Sequence, residues 1–232
     1  MLINSYADDV VGGGGATDPY FANVGLLVHM GSSLVDSSGN ALSVAVGGTA
    51  PFLDSTHQQV GADCSDFASA AGGSAAGGNL YLPMTPGGPI DLGLGAYTVE
   101  CWDYQRAASA AYIIFGLTYG TDQAILLLTT GGSCPVKVQG ATIGTATIPL
   151  NQWNHVALVM DATNHATVYV NGIQQFTPAA VSRAAWVADT WYFGATQYGP
   201  AKEGLAQEWR ITKGVARYLA NFSPPTLPFP NS

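Results

Sequence analysis

Charge is what this sequence has least of. Only 9% of its 232 residues are Asp, Glu, Lys or Arg, against about 25% in an average soluble protein. Solubility therefore rests on Gly, Ser, Thr, Asn and Gln. The charge that exists leans negative, with a formal net of −8. A chain of that sign does not attract a phosphate backbone or an anionic bilayer, so bulk electrostatics argues against nucleic acid and membrane surfaces as partners. No run of about 18 apolar residues occurs, so no membrane-spanning helix is expected. The N-terminus has no basic segment leading into an apolar run, so no secretory leader is expected and the chain reads as one folded in a cytoplasm.

Reactive groups are scarce as well. Cys64, Cys101 and Cys134 make an odd count with no Cys-x-x-Cys or Cys/His zinc spacing, which reads as reduced, buried thiols. His29, His57, His155 and His165 have no matched Cys or Ser nucleophile, and no Gly-x-Ser-x-Gly elbow occurs. His155 reads as a strand residue on a mixed sheet face. No metal site or cofactor is expected. Asp36-Ser37-Ser38-Gly39-Asn40 lacks the spacing of an EF-hand loop, and a plain Asx turn is favoured over a calcium loop. No internal repeat of fixed period is visible.

What is present is a strand-former's composition. Apolar residues make up 47% of the chain, with 29 Gly and 13 Pro to turn it. Residues 153–176 are the organising stretch. Trp153–Asp161 and His165–Val170 alternate with period two, and Asn171-Gly172 is the strongest two-residue hairpin signal before Ile173–Phe176 returns. Val156, Leu158 and Met160 oppose Ala166, Val168 and Val170 only if Asp161 pairs with His165, so burial selects that register. The other face, with Trp153, His155, Ala157, Thr167 and Tyr169, is mixed. It is either half-solvated or covered by something polar.

Further strands are expected at Val24–Met30, Ala41–Val46, Asn79–Pro83, Tyr97–Tyr104, Ala111–Thr118, Ala124–Thr130, Pro135–Gly140, Ala141–Ile148, Trp191–Gly194 and Gly204–Thr212. Gly214–Ala220 reads as one helical turn, and the Pro-rich tail after Ser223 as extended. Trp102, Trp153 and Trp209 read as core. About a dozen short strands without a convincing helix mean an all-β antiparallel sandwich or barrel. The domain spans residues 18–232. Residues 1–17 read as an arm, with Leu2, Ile3, Val10 and Val11 ahead of the linker Gly12-Gly13-Gly14-Gly15. No Gly-Lys-Ser/Thr follows those glycines, so they are not a phosphate loop.

An ordered series of short motifs carries a family resemblance. Asp18-Pro19-Tyr20-Phe21, Leu26-Leu27-x-His29-Met30 and Asp36-Ser37-Ser38-Gly39-Asn40 come first. Tyr97-Thr98-Val99-Glu100-x-Trp102, Trp153-Asn154-His155-Val156-Ala157 and Tyr169-Val170-Asn171-Gly172 follow. Arg210-Ile211-Thr212-Lys213-Gly214-Val215-Ala216-Arg217-Tyr218, Asn221-Phe222 and Pro224-Pro225 close it. Over residues 18–230 the chain resembles the laminin-G-like, concanavalin A-like lectin/glucanase domains of bacteriophage tail and virion proteins. The resemblance implies a two-sheet jelly roll with carbohydrate-binding relatives. The closing strand reads Ala206-Gln207-Glu208-Trp209-Arg210, departing from the Ile-Asp-Glu-Val-Arg pattern common there. Residues 50–78 and 105–148 match weakly, and loops of that kind usually carry ligand specificity.

Glucanases of this fold resemble one another in a Glu-x-Asp-x-x-Glu strand motif, which is absent. Glycan hydrolysis uses two carboxyl groups, about 5–5.5 Å apart in retaining enzymes and about 6.5–9.5 Å in inverting ones. Glu100, Glu203 and Glu208 are the only three glutamates. Glu100 and Asp103, three apart on one strand, face opposite sides. The chain therefore reads as a non-enzymatic virion structural protein of tail, fibre or head decoration. It would stand on the particle surface after synthesis in the host cytoplasm. Host-surface polysaccharide is the expected ligand, with Tyr119, Trp186 and Tyr198 in predicted turns as carbohydrate-stacking candidates. The alternatives are a purely structural decoration protein and, less favoured, a polysaccharide-cleaving enzyme. Other virion proteins would be partners through the arm, and symmetry habit favours a homo-oligomer, with the trimer as the typical case.

The arm generates a test. Burying Leu2, Ile3, Val10 and Val11 on a partner gains roughly 1.5–3 kcal/mol each, while ordering the backbone costs about 1–2 kcal/mol per residue. Only a sizeable contact holds such an arm. Deletion of residues 2–15 is expected to leave the melting temperature unchanged and abolish assembly onto particles. Normal incorporation of the truncated chain would rule out anchoring.

Overall fold

The alternation in residues 153–176 becomes two paired strands in the computed structural model. Its described residues are 17–67, 78–106, 112–119, 122–129, 131–194, 202 and 204–232. The arm residues Leu2, Ile3, Val10 and Val11 lie outside them. A 3-10 turn, Phe21–Asn23, precedes the strands. In chain order these are β1 (Val24–Val28), β2 (Ala45–Gly47), β3 (Phe52–Asp54), β4 (Cys64–Asp66), β5 (Asn79–Met84) and β6 (Tyr97–Gln105). Next come β7 (Tyr112–Tyr119), β8 (Asp122–Thr129), β9 (Ser133–Val138), β10 (Ala141–Thr147) and β11 (Trp153–Met160). The last are β12 (His165–Val170), β13 (Ile173–Gln174), β14 (Ala179–Ala180), β15 (Asp189–Phe193) and β16 (Gly204–Lys213).

The register selected by burial is the one adopted. Val156 lies opposite Val170, Leu158 opposite Val168 and Met160 opposite Ala166. The Asp161 amide donates to the His165 carbonyl at 2.9 Å and closes the three-residue loop. Asn171 and Gly172 take φ 51° and 76°, the left-handed pair that a type I′ turn requires. β13 then pairs for only two residues, shorter than expected.

Two antiparallel sheets pack face to face. One runs β13-β12-β11-β6-β16-β4-β3, with β1 on the remaining edge of β16 and β14 on β12; the other runs β10-β9-β8-β7-β15-β5-β2. Between them lies one core, with Val99, Cys101, Val156, Leu158, Met160, Val168 and Val170 meeting Leu80, Leu82, Phe115, Leu117, Val136, Trp191 and Phe193. The three thiols are free and buried, as expected.

Several expectations need correction. β2 covers only the end of Ala41–Val46, because the Leu42 amide is held by the Asp36 carboxylate at 3.0 Å in the preceding loop. Gly214–Ala220 forms no helical turn. Gly214 at φ 80° turns the chain back over the sheet, and the Thr98 hydroxyl donates to the Val215 carbonyl at 3.1 Å and accepts from the Arg217 amide at 2.9 Å. A side chain thus takes groups that helical bonds would have used. Trp153 and Trp102 both lie on the outward face of their sheet, Trp153 half buried and Trp102 buried against His155, and only Trp209 belongs to the core.

β16 contains a bulge. Gln207 pairs with Trp102 and Arg210 with Glu100, so three steps on β16 match two on β6. Glu208, at φ 58°, is the extra residue. Bulges re-aim side chains, and here Ala206 and Trp209 both reach the core although three apart. Arg210 is thereby set directly across from Glu100.

The tail returns over the outward face of the nine-stranded sheet and crosses the β12–β13 turn, where the Phe222 amide donates to the Gly172 carbonyl at 3.0 Å. A Cβ on Gly172 would lie 1.8 Å from the Phe222 oxygen, whereas Gly140, at φ 80°, has open space at that position. Gly140→Ala is expected to lose about 1–2 kcal/mol from backbone strain alone. Gly172→Ala should lose clearly more in urea unfolding, since tail and turn cannot both keep their places. Equal losses would show that the tail contact does not matter.

Candidate functional site

The residues that carry the family resemblance come together in space. They meet on the outward face of the nine-stranded sheet, beneath the tail. Glu100 is the centre. Its Oε1 accepts from Arg210 Nε at 2.9 Å and its Oε2 from the Tyr218 hydroxyl at 2.8 Å, with His155 Nε2 at 3.1 Å from Oε2. Arg210 Nη1 reaches Asp18 Oδ2 at 3.1 Å. Arg217 forks onto both Asp18 oxygens at 3.0 and 2.7 Å and donates from Nε to the Thr212 hydroxyl at 2.7 Å. The side chains of Glu100, His155, Asp18, Arg210 and Arg217 have no exposed surface. Two carboxylates face two guanidinium groups, so the charge balances.

Aromatic rings seal the network. Tyr218 and Phe222 stack at 3.6 Å and 5°, Phe222 approaches Tyr169 at 5.6 Å, and the Phe229 ring lies 3.7 Å from the Arg210 guanidinium carbon. The mixed face is therefore covered by the chain's own C-terminal segment. Burial by itself pushes the Glu100 carboxyl up, but the Arg210 guanidinium, the His155 hydrogen bond and Arg217 outweigh it and hold the group well below the usual carboxylate range. A carboxyl so held stays ionised and has no proton to give a leaving group.

Glu100 and Asp103 do face opposite sides, for Asp103 pairs with Lys202 in the interior and both are fully buried. A second carboxylate, Asp18, does come near Glu100 on this face, reached through Arg210. The two are bridged by guanidinium rather than open to a substrate. His155 is buried in the mixed face, as expected. The pattern-breaking Gln207 takes a structural post, accepting from the Gln59 and Val60 amides at 2.8 and 3.1 Å and donating to the Val60 carbonyl at 2.6 Å. Asp36 is likewise absorbed by its loop, accepting from the Leu27 and Ser38 amides at 3.1 and 2.9 Å. Among the described residues no group of three or more His, Cys, Asp or Glu is placed to hold a metal ion. None of their helices is long and apolar enough to cross a membrane.

The three aromatic candidates are not brought together. Trp186 is 7% exposed, belongs to the core and donates its indole N–H to the Gly93 carbonyl at 2.8 Å. It plugs an end of the sandwich and shows solvent almost no ring face. Tyr119 ends β7 opposite Asp122 at a hairpin tip, and Tyr198 lies outside the described residues. The sequence reading missed a different pair. On the outward face of the seven-stranded sheet Tyr81 of β5 lies opposite Tyr192 of β15, with ring centroids 6.2 Å apart. The signal was available, since Tyr81 alternates with the core residues Leu80 and Leu82.

Topology and core define a two-sheet jelly-roll sandwich of lectin type, one outward face of which is closed by the chain's own tail. The profile of the concanavalin A-like lectin/glucanases superfamily matches residues 76–216, and the chain belongs to that superfamily. No curated protein matches the sequence. The fold is similar to botulinum neurotoxin type C, in a structure concerned with cell entry through two ganglioside molecules, at TM-score 0.64 and 11% identity over 85% of this chain and 50% of that one. It is similar to the binding domain of botulinum neurotoxin DC in complex with rat synaptotagmin II, at 0.63 and 11% over 85% and 50%. Domain 4 of AbnA, a GH43 extracellular arabinanase from Geobacillus stearothermophilus, in complex with arabinotriose, is similar at 0.59 and 17% over 84% and 94%. The chain thus spans about half the length of the neurotoxin chains it matches. At these identities the likeness is one of fold.

The network predicts how the domain responds to mutation and acid. Glu100→Gln leaves two buried guanidinium groups facing one carboxylate and is expected to destabilise by about 3–5 kcal/mol, with no loss of any polysaccharide-degrading activity. The folded pKa of Glu100 lies below its unfolded value. Its contribution is therefore complete above the usual carboxylate range and is lost as pH falls through the depressed value. Below about pH 4 the melting temperature of the parent chain should fall more steeply than that of the variant. Parallel acid limbs would show that Glu100 is not the group responsible.

Proposed function

We propose that this domain binds carbohydrate without cleaving it, through the outward face of the seven-stranded sheet. The observation that carries the reading is the asymmetry between the two outward faces. Arg217, Tyr218, Phe222 and Phe229 close over the centre of one. Across the other, one register level crosses Lys137 of β9, Leu126 of β8, Gly116 of β7, Tyr192, Tyr81 and Ala45 of β2. Gly116 carries no side chain beside the pair, and of the two rings Tyr81 is the half-buried one and Tyr192, 8% exposed, backs it. Sugar rings present flat C–H faces that stack on aromatic rings. Tyr119, the last residue of β7, and Tyr198, which follows β15 in the sequence, are the further sugar-stacking candidates of this reading.

Support comes from solved structures of similar fold: domain 4 of AbnA is in complex with arabinotriose, and cell entry of botulinum neurotoxin type C depends on interaction with two ganglioside molecules. The non-hydrolytic part is supported by Glu100, whose carboxylate is committed to Arg210 and buried. The setting we infer is the surface of a bacteriophage particle, as a tail, fibre or decoration protein anchored through the N-terminal arm. It is supported by the ordered motif series, which resembles virion domains of this family. A decoration protein without ligand is the competing reading.

The experiment is a glycan array followed by titration of the best ligand. Tyr81→Ala should weaken binding at least tenfold with a native circular dichroism spectrum, and no glycan should be shortened by the parent chain. Binding unchanged in Tyr81→Ala would remove the site from this sheet. An array without hits would favour the decoration protein.

A further inference from the structure

One ion pair lies between the two sheets rather than on their outward faces. Asp103 of β6 continues the inward row of Val99 and Cys101. Lys202 stands in the connection from β15 to β16, and its ammonium donates to Asp103 Oδ1. Neither side chain has any exposed surface. Lys202 Nζ also donates to the Tyr104 carbonyl at 3.4 Å, which holds the nitrogen in place beside the carboxyl group.

The surroundings are mostly apolar. Ala206 on β16 and Asn154 on β11 lie opposite Asp103. The Asn154 side-chain amide is taken up by the Pro149 and Gln152 carbonyls at 2.8 and 3.0 Å. Gly194, at φ 85°, leaves space that Lys202 and the Phe67 ring fill, each 3.5 Å from where its Cβ would stand. Phe67 meets Phe193 at 5.9 Å, and Phe193 meets Trp209 at 5.4 Å.

This enclosure favours a reaction between the two groups. Taking two ions out of water is expensive, and an amide carries neither charge. An amine in hydrogen-bond contact with a carboxyl oxygen stands about 3–3.5 Å from the carboxyl carbon, the separation of a near-attack pair. Folding thus presents one group to the other at a high effective concentration, with no solvent-exposed surface on either.

We propose that Lys202 and Asp103 condense into an isopeptide bond once the domain has folded. One proton passes from Nζ to the Asp103 carboxylate, leaving a neutral amine and a neutral acid. The Nζ lone pair attacks Cγ and forms the C–N bond. A second Nζ proton moves to a carboxyl oxygen, the C–O bond breaks, and water leaves. Ammonium and carboxylate become amide and water, and the balance closes with no further reactant. The bond ties β6 to the entry of β16 across 99 positions of sequence. The loop it closes contains β7 to β15, and a loop closed covalently stays closed when the domain unfolds. The bond is independent of what the domain binds.

The test is the intact mass of the full chain, unfolded in reducing denaturant. It is expected about 18 Da below the sequence mass, one water lost. Trypsin should fail to cut after Lys202, and residues 184–210 should travel with the peptide that ends at Arg106. Lys202→Arg keeps a cation beside Asp103 but offers no amine to acylate. That variant is expected at its full sequence mass. It should melt about 10 °C or more below the parent, the effect of losing a cross-link over a loop of this length. A parent chain at full sequence mass would overturn the bond. So would water lost at any other position, or an equal loss of water in Lys202→Arg.

Discussion

The rest of this structure depends on one cross-strand ion pair. Glu100 and Arg210 face each other between β6 and β16, at the middle of the larger sheet, and neither has any exposed surface. A buried charge with a partner removed is strongly destabilising, so every neighbour is arranged around keeping both partnered. The bulge at Glu208 is what makes the pair possible, because without the extra residue Arg210 would fall one position out of phase with Glu100. Asp18 then bridges Arg210 to Arg217, which ties the first described residues to the last turn of the chain. The Asp18 amide donating to the Ser232 carbonyl at 2.9 Å completes that closure.

The same constraint decides which surfaces are left for a ligand. A charged network cannot stay dry without a lid, and the tail supplies one with Tyr218, Phe222 and Phe229. Gly172 is the narrow point where the lid crosses a hairpin turn. The family motifs therefore mark the lid and the network beneath it rather than a recognition surface. What the lid leaves uncovered is the outward face of the smaller sheet, the face of the proposed carbohydrate site.

Much of the fold was legible. Strict alternation gave away β11 and β12, and the chemistry of φ > 0 at Asn171-Gly172 fixed the turn between them. The register followed because slipping by one residue would have exposed Val168 and Val170. β3 and β4 were not legible: three residues each, they have too few alternations to stand out from loop. Nor was the path after Gly214, where Thr98, distant in sequence, captures the backbone. The site was less legible still. Trp186 sits in a loop yet fills the core, because a loop may be folded into the end of a sandwich. Trp153 sits in a strand yet reaches the surface, because the tail stops short of it.

Local chemistry, then, was enough to determine an all-β chain, its central hairpin, its buried thiols and the shortage of carboxylates for hydrolysis. These follow from side-chain periodicity and from φ preferences, which act over a few residues. Only the tertiary structure decided that Asp18, Glu100, Arg210 and Arg217 form one neutral cluster, and which aromatic rings remain in solvent. Those outcomes depend on contacts between residues up to 199 positions apart, set by how two sheets and a returning tail pack, and no local pattern encodes them.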